Sequence, residues 1–373
     1  MAGSPYRASL SFETRDRVWD ALVSEHGGHY KQSSAWAEVK REYDWSVARV
    51  TVARGAEIVG GAQVLLRRLP LAGAVGLAPR APVVAVPDDD VQERVLDALQ
   101  RVARRCGIRI LMVHPPGDDR PLLAAMESRG YRPTALVLAA SATSVIDLRQ
   151  DEDEMLARMR KKTRQHIHKG LREGVTVREG ADSDLATFYG LHAATGMRKS
   201  FSPYPSGYFA KVWNAFRPID AARLFLAEYR GEVLSALFMV VFGGRAYTLA
   251  VGWSGEHAEC MPNETLYWSA IRWAKENGHS AWDFSSIDPR AAEAMVDGRP
   301  LPDELRKTTT FFKLGFGGDV VVLPSTYDVE FNPVLRVVFR SIVPPLYRST
   351  RLRKDLYRLR WRSLPSLVPR QGR

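Results

Sequence analysis

One arrangement of predicted elements occurs twice in the chain, and it restricts the fold more than any other feature of the sequence. In each half, two β-rich runs are joined at a short turn containing glycine, the pattern of a β-hairpin. The runs cover residues 45–52 and 57–66 in the first half, and residues 224–229 and 232–242 in the second. Hairpins are common in proteins, so the interpretation depends on the elements that come after them.

Each hairpin is followed by a helical segment, a glycine and a buried strand. In the first half these are residues 91–105, Gly107 and residues 108–113; in the second, a strand over residues 246–252 precedes residues 265–276, Gly278 and residues 280–284. A helix that ends at glycine and leads directly into an apolar strand is typical of an α/β crossover. The repeated order predicts an α/β fold of two duplicated lobes with mixed β-sheets.

The boundary between the lobes is predicted just before a helix over residues 151–173. Acidic residues open this helix and basic residues come after them, which suits the helix dipole. A strand over residues 145–148 leads into it. Residues 1–147 are therefore predicted to form the first lobe, residues 148–325 the second, and residues 326–373 a basic C-terminal segment.

Positive charge is concentrated at the C-terminal end. From Arg336 to Arg373 there are eleven Arg or Lys residues and one acid, Asp355, so this segment carries +10 of the net charge of +11. Apolar residues such as Ile342 and Trp361 are interleaved with the arginines, which a purely solvating tail does not need. The pattern indicates an anionic partner, either a nucleic acid or a lipid surface.

Other classes of protein are excluded by missing signals. The two cysteines, Cys106 and Cys260, are far apart, so a disulfide framework is excluded and a reducing compartment is expected. No signal peptide, membrane-length apolar run or Cys/His metal spacing is present. Serine-nucleophile, P-loop and dinucleotide motifs are also missing. We expect a cytoplasmic protein without metal or cofactor.

A basic stretch lies within the predicted helix over residues 151–173, with no acid between Met155 and Arg172. Like charges at three- and four-residue spacing repel, so an anionic neighbour is expected. Cations spaced along one helix can follow the phosphates of a nucleic acid. The predicted nucleic-acid contacts are Arg158, Lys161, Lys162 and Arg164.

Residues 308–318 place Lys313 among aromatic residues and ahead of three glycines, which would let the backbone approach a ligand closely. Such a lysine is either a surface residue with a buried stem or a charge directed at an anion, and composition leaves both open. Asp283 and Asp288 lie just after the last strand of the second repeat. We interpret both as carboxylates that cap or turn the chain.

Four segments occur in the order found in the Fem (FemABX) peptidoglycan-bridge aminoacyltransferases. They are residues 32–40 (QSSAWAEVK), 79–83 (PRAPV), 161–164 (KKTR) with Ile167, and 312–317 (FKLGFG). The chain resembles this family from about residue 32 to residue 332. The resemblance implies two GNAT-like lobes, a C-terminal segment that first packs back on the first lobe, and no coiled-coil arm.

The resemblance also implies a reaction. In the family, an amine of a lipid-linked or UDP-linked muropeptide precursor attacks the ester of an aminoacyl-tRNA, which gives an amide. Lys313 would be the catalytic cation, and the membrane could be contacted peripherally at its inner face by the basic segment. The implied substrate-binding residues are Lys40, Arg80, Arg198, Tyr204, Tyr247 and Phe312.

The first lobe departs from the family pattern. Leu77 and Ala81 stand where relatives carry Tyr and Gly, and Ala85 lies near the position of the expected acid. The departure leaves open the general base and the acceptor, which could be a soluble natural-product amine. An acyl-CoA-dependent N-acyltransferase is a second interpretation, although residues 254–262 lack the glycine pattern of a pyrophosphate loop. A non-catalytic binder of RNA or membrane is a third.

Overall fold

The computed structural model describes residues 5–69, 73–85, 88–134, 140–199, 201–337 and 340–341. The strands of the first lobe are β1 (Tyr6–Ser11), β2 (Ser46–Arg54), β3 (Glu57–Leu69), β4 (Gly73–Pro79), β5 (Val83–Val84), β6 (Ile108–His114) and β7 (Arg132–Pro133). Its helices are α1 (Arg17–Glu25), α2 (Ser34–Arg41), α3 (Asp89–Arg105) and α4 (Arg120–Ser128). Most of the basic segment, from residue 342 onward, lies outside the described residues.

The second lobe repeats this plan. Its strands are β8 (Ala142–Asp147), β9 (Thr176–Glu179), β10 (Ala222–Tyr229), β11 (Glu232–Phe242), β12 (Arg245–Trp253), β13 (Ala281–Asp283) and β14 (Asp319–Val322). Its helices are α5 (Glu152–Arg158), α6 (Lys161–Glu173), α7 (Leu185–Lys199), α8 (Tyr208–Phe216), α9 (Pro262–Glu276), α10 (Pro289–Val296) and α11 (Thr309–Leu314). A last strand, β15 (Tyr327–Glu330), and a short helix, α12 (Pro333–Val337), come after it.

The two sheets have matching strand orders. The first runs β1-β2-β3-β4-β6-β15-β7 and the second runs β9-β10-β11-β12-β13-β8-β14. In each sheet one parallel pair, β4 with β6 or β12 with β13, lies among antiparallel pairs, so both sheets are mixed. Strand β4, the counterpart of β12, was not predicted, because Gly73 and Gly76 interrupt its apolar pattern.

Two strands near the predicted boundaries, β8 and β15, show which part of the chain belongs to which sheet. Strand β8 precedes the predicted boundary at residues 147 and 148, yet it pairs with β13 and β14 of the second sheet. The predicted boundary is therefore too late, and the second lobe begins before Ala142. Strand β15, which lies after the second lobe in sequence, returns to pair with β6 of the first sheet.

The predicted single helix over residues 151–173 is two helices, α5 and α6. Met159 between them has an extended backbone, with φ of −68° and ψ of 149°. The guanidinium of Arg164 donates to the carbonyls of Leu156, Ala157 and Met159, and so satisfies the end of α5. The prediction was wrong because the helix dipole pattern does not show this tertiary break.

Helix α3 illustrates how the first lobe forms its core. Asp88 caps it by accepting hydrogen bonds from the main-chain nitrogens of Asp90 and Val91. Its buried residues recur at helical spacing and face the sheet. They are Val91, Gln92, Val95, Leu96, Ala98, Leu99, Val102 and Ala103.

The two lobes share one core at their junction. Tyr30 of the first lobe is buried, and its ring lies 5.1 Å from that of Tyr247 and 6.0 Å from that of Phe216, both of the second lobe. Trp36 packs edge-on against Tyr30 at 5.4 Å. These contacts fix the relative position of the lobes where their sheets meet.

Helix α7 packs so closely on β12 that a β-carbon at Gly252 would lie 2.4 Å from the main-chain nitrogen of His192. We expect Gly252→Ala to lower the free energy of unfolding by about 1–3 kcal/mol. Gly190, within α7, has open space around it, so Gly190→Ala is a matched control that should raise stability by about 0.5–1 kcal/mol. Urea unfolding of both variants measures this, and equal effects would contradict the packing.

Candidate active site between the lobes

Lys313 lies in the last turn of α11. Its ammonium donates hydrogen bonds to the main-chain carbonyls of Phe284 and Ser286, at 2.9 and 2.7 Å. These carbonyls flank Ser285, whose φ of 65° bends the chain after β13. Burial lowers the pKa of Lys313 from 10.5 to about 8, so the half-buried amine is mostly charged at neutral pH.

The glycines after Lys313 serve close packing within the protein. A β-carbon at Gly317, where φ is 79°, would lie 2.5 Å from the carbonyl oxygen of Arg158. A β-carbon at Gly315 would lie 2.5 Å from the hydroxyl of Thr163. These two glycines let their segment pack closely against the junction of α5 and α6. The sequence had predicted that the glycines would let the backbone approach a ligand.

Asp283 ends β13 and is buried beside Lys313. Its Oδ1 accepts hydrogen bonds from the Thr143 hydroxyl at 2.5 Å and from the main-chain nitrogen of Ser285 at 2.7 Å. Its Oδ2 lies 3.8 Å from Nη1 of Arg245. Asp283 therefore turns the chain, as predicted from the sequence, and its charge also acts on Lys313, where it opposes the lowering of the pKa.

Arg80 brings a cation from the first lobe to the same place. It directly succeeds β4 in the left-handed conformation, with φ of 57°. The preceding carbonyl, of Pro79, is held at 2.6 Å by the side-chain amide of Gln32. Burial lowers the pKa of Arg80, and the charge of Asp283 acts in the opposite direction. Segments 32–40 and 79–83 thus meet through a buried glutamine.

His29 lies between the two lobes. Its ring is 4.4 Å from that of Tyr30 and 4.6 Å from that of Tyr247. Burial lowers the pKa of His29 well below 6.5, and nearby cations, including Lys31 and Arg80, lower it further. The imidazole is neutral, and its Nδ1 accepts a hydrogen bond from the main-chain nitrogen of Lys31 at 3.2 Å.

Together these groups form what we call the interlobe cluster: His29, Arg80, Arg245, Asp283 and Lys313. Sequence reasoning missed His29 and Arg245, and no motif marked either residue. The cluster combines three cations with a buried carboxylate, so it favours a ligand with negative charge or an oxygen that gains negative charge. Among the described residues, no group of three His, Cys, Asp or Glu side chains could hold a metal ion.

Three other predicted residues, Lys40, Tyr204 and Phe312, lie against aromatic side chains. The ammonium of Lys40 lies 4.5 Å from the ring centre of Trp36, which itself packs on Tyr30. Tyr204 contributes to the raised pKa of Tyr30, although burial is the main cause. Phe312 packs on the aromatic core of the second lobe, with ring distances of 5.2 and 5.3 Å to its two neighbours there, Tyr267 and Phe316.

Arg198 lies at the other end of β12 from Tyr247. It donates to the carbonyl of Ser254 at 2.6 Å and lies over the ring of Trp253 at 5.1 Å. Six residues of strand separate Tyr247 from Trp253, which corresponds to about 20 Å. Tyr247 lies near the start of β12, whereas Arg198 contacts residues at the end of that strand. The structure therefore does not bring Arg198 to the interlobe cluster with Tyr247.

The four predicted nucleic-acid contacts have different environments. Arg158 forms an ion pair with Asp319, and the guanidinium of Arg164 donates to carbonyl groups at the end of α5. Lys161 and Lys162 are exposed at the start of α6. The expectation that all four are available to phosphates is wrong for Arg164, whose donors are directed at carbonyl groups.

The charge of Asp283 predicts a measurable effect on its neighbour. We expect Asp283→Asn to lower the pKa of Lys313 below about 8, because a stabilising negative charge is lost. The pKa is measured from the pH dependence of Lys313 amidination, followed by peptide mass spectrometry. Asp220→Asn, at an exposed turn before β10, is the control. An unchanged Lys313 pKa in Asp283→Asn would contradict the assignment.

Comparisons with known proteins agree with this architecture. Residues 15–120 match the FemAB family, and residues 157–290 match an acetyltransferase (GNAT) domain. The lipid II:glycine glycyltransferase of Staphylococcus aureus (strain USA300) is 21% identical over 410 aligned positions, which cover 88% of this chain and 95% of that protein.

Two solved structures share the fold. The crystal structure of FemX has a TM-score of 0.79 at 18% identity and covers 90% of this chain and 100% of its own. L-PGS from Bacillus licheniformis has a TM-score of 0.54 at 14% identity, with 88% and 96% covered. The two mixed sheets are therefore those of two GNAT-like lobes. The FemAB match in the first lobe, the GNAT match in the second and the similarity to a glycyltransferase over most of the chain together support the Fem family of acyltransferases.

Proposed function

We propose that this protein transfers an amino acid from aminoacyl-tRNA to an amine of a peptidoglycan precursor and so forms a peptide bond. The observation that carries the proposal is the position of Lys313, a lysine with a lowered pKa beside Asp283 at the junction of the lobes. The similarity to a lipid II:glycine glycyltransferase supports the acceptor class. No cofactor is required, since the ester of the donor is already activated.

In the proposed reaction the acceptor amine attacks the carbonyl carbon of the aminoacyl ester. A C–N bond forms, the C–O bond to the terminal ribose breaks, and a proton passes from the amine nitrogen to the released ribose oxygen. Negative charge develops first on the carbonyl oxygen and then on the departing oxygen. The ammonium of Lys313, held in place by two carbonyls, would stabilise that charge without reorganising.

The remaining residues of the interlobe cluster would hold the anionic parts of the substrates. Arg80 and Arg245 come from different lobes and face the same carboxylate. Lys40 lies over Trp36, which packs on Tyr30, and Tyr204 acts on Tyr30; both could extend this surface toward the acceptor. Since Arg198 lies about 20 Å away along β12, we propose no shared ligand contact for Arg198 and Tyr247.

Acyl-CoA dependence has less support. In each lobe the helix start where a pyrophosphate would sit is already occupied. At α3, the main-chain nitrogens are capped by Asp88. At α9, Gly170 of α6 packs on the hydroxyl of Thr265, and Glu264 of the first turn accepts from His166 at 2.9 Å. A carboxylate in these positions disfavours an anionic cofactor.

Replacing Lys313 tests the proposed chemistry. We expect Lys313→Met to lower turnover by about 10²–10³-fold, because the charge that stabilises the developing oxyanion is removed. Transfer of labelled amino acid from charged tRNA to lipid-linked and UDP-linked precursors is measured by mass spectrometry. Lys307→Met, at an exposed site six residues earlier, is the matched control.

Lys313 also holds the turn after β13, so the thermal unfolding midpoint is measured for both variants. A Lys313→Met protein that remains folded and retains turnover would overturn the role of Lys313. Loss of turnover together with a collapsed unfolding midpoint would be resolved with Lys313→Arg, which keeps the charge and should retain part of the activity.

The two exposed lysines of α6 test the donor. We expect the double change Lys161→Gln and Lys162→Gln to weaken tRNA binding and to reduce the salt slope of the affinity by about 1.5, because two phosphate contacts are lost. Arg7→Gln with Arg54→Gln, both exposed at the edge of the first sheet, removes the same charge elsewhere. Equal salt slopes in the two double variants would exclude α6 as a tRNA contact.

A further inference from the structure

A second cationic site lies on the first lobe, away from the interlobe cluster. A cavity of about 530 Å³ opens where α3, α4, β7 and β15 meet. Glu330 of β15 lies at the wall of the cavity and pairs in the sheet with Ile110, near the start of β6. His114, at the other end of β6, lies near Arg80 of the interlobe cluster, so the cavity and the cluster are at opposite ends of this strand. Five arginines line this arginine pocket: Arg104, Arg129, Arg132, Arg336 and Arg340.

Two of these arginines are fixed by carboxylates and form the walls of the pocket. Arg129 pairs with Glu93 at 3.2 Å and with Asp97 at 2.7 Å. Arg340 pairs with Glu330 at 2.8 Å and also with the buried Asp328. These ion pairs hold the frame of the pocket, and they engage the guanidinium groups of Arg129 and Arg340.

The other three arginines keep their charge available. Arg104 donates to the side-chain oxygen of Gln100 at 3.4 Å, and Arg336 donates to the carbonyl of Glu330 at 3.2 Å. Arg132 donates to two main-chain carbonyls, at 2.6 and 2.7 Å. Over the part of the chain that the structure describes, none of the three forms an ion pair. A concave site with three such guanidinium groups fits a phosphate.

The surroundings of the pocket distinguish a lipid from a nucleic acid. On α12, beside Arg336, Val334 and Val337 are 70% and 61% exposed. Exposed valines contribute nothing to phosphate recognition in RNA, but they suit the boundary between headgroups and acyl chains. The sequence after α12 interleaves arginines with apolar residues in the same way. Such basic, apolar segments bind anionic leaflets.

We propose that the arginine pocket binds the phosphate of an anionic lipid headgroup while Val334 and Val337 contact the acyl region. The site would hold the first lobe against the membrane that carries a lipid-linked acceptor. In that sense it extends the proposed function. Binding to the membrane is nevertheless independent of turnover, so each can fail without the other.

The test measures binding of the full chain to vesicles that contain neither acceptor nor tRNA. Sedimentation is compared for phosphatidylcholine vesicles and for an equimolar mixture with phosphatidylglycerol. We expect Arg104→Gln with Arg132→Gln to reduce binding to the mixed vesicles by about tenfold. The control with the same charge loss, Arg7→Gln with Arg54→Gln, should change binding by about twofold or less, since it lies at the opposite edge of the sheet.

A second variant separates lipid from other phosphates. Val334→Ser with Val337→Ser leaves the net charge unchanged and should weaken vesicle binding by about fivefold. Equal losses in the arginine double variant and its control would overturn the proposal, because the attraction would then be unspecific. It would also be overturned if the pocket variant lost tRNA binding and kept vesicle binding. Unchanged vesicle binding of the valine variant, with soluble glycerophosphoglycerol competing fully, would indicate a site for free phosphate esters instead.

Discussion

The pairing of β15 with β6 holds the two lobes together as a single structure. The chain leaves the first sheet, builds the whole second lobe, and then returns to fill the place beside β6. The equivalent place in the second sheet is filled by β8, the first strand of that lobe. Because the first sheet is completed by chain that follows the second lobe, the first lobe is not a separate unit, and the junction is held in one geometry.

That fixed junction allows buried charge to be placed accurately. Arg80 comes from the first lobe, whereas Arg245, Asp283 and Lys313 come from the second, and burial shifts the pKa of both Arg80 and Lys313 downward. The carboxylate of Asp283 opposes this shift for each of them. Cations kept in partly desolvated surroundings interact more strongly with an oxyanion than cations in water do. The electrostatic character of the site therefore results from the relative position of the lobes.

Among the described residues, cations gather in two different surroundings. The interlobe cluster is partly buried and structured by hydrogen bonds, whereas the arginine pocket and the valines of α12 are open to solvent. Among the described helices, none has the length and apolarity required to cross a bilayer.

Local patterns in the amino-acid sequence were enough to predict the duplicated α/β plan and the two hairpins. They were enough because hairpin turns and helix ends depend on neighbouring residues. Strand β4 was missed because Gly73 and Gly76 obscure its periodicity. The break between α5 and α6 was missed because Arg164 satisfies carbonyls that a continuous helix would have paired.

Tertiary contacts settled which side chains meet. His29 and Arg245 carry no local signal. His29 meets Tyr247 of the other lobe, and Arg245 meets Asp283, in both cases through contacts between residues far apart in sequence. Tyr247 lies near the start of β12, and Arg198 contacts the end of the same strand, so the two side chains are far apart. The order of residues alone does not reveal this separation. The pairing of β8 with β13 was equally inaccessible to residue patterns, since strand pairing depends on the register of whole sheets rather than on the pattern within one strand. The return of the C-terminal segment to the first lobe was implied by the family resemblance alone.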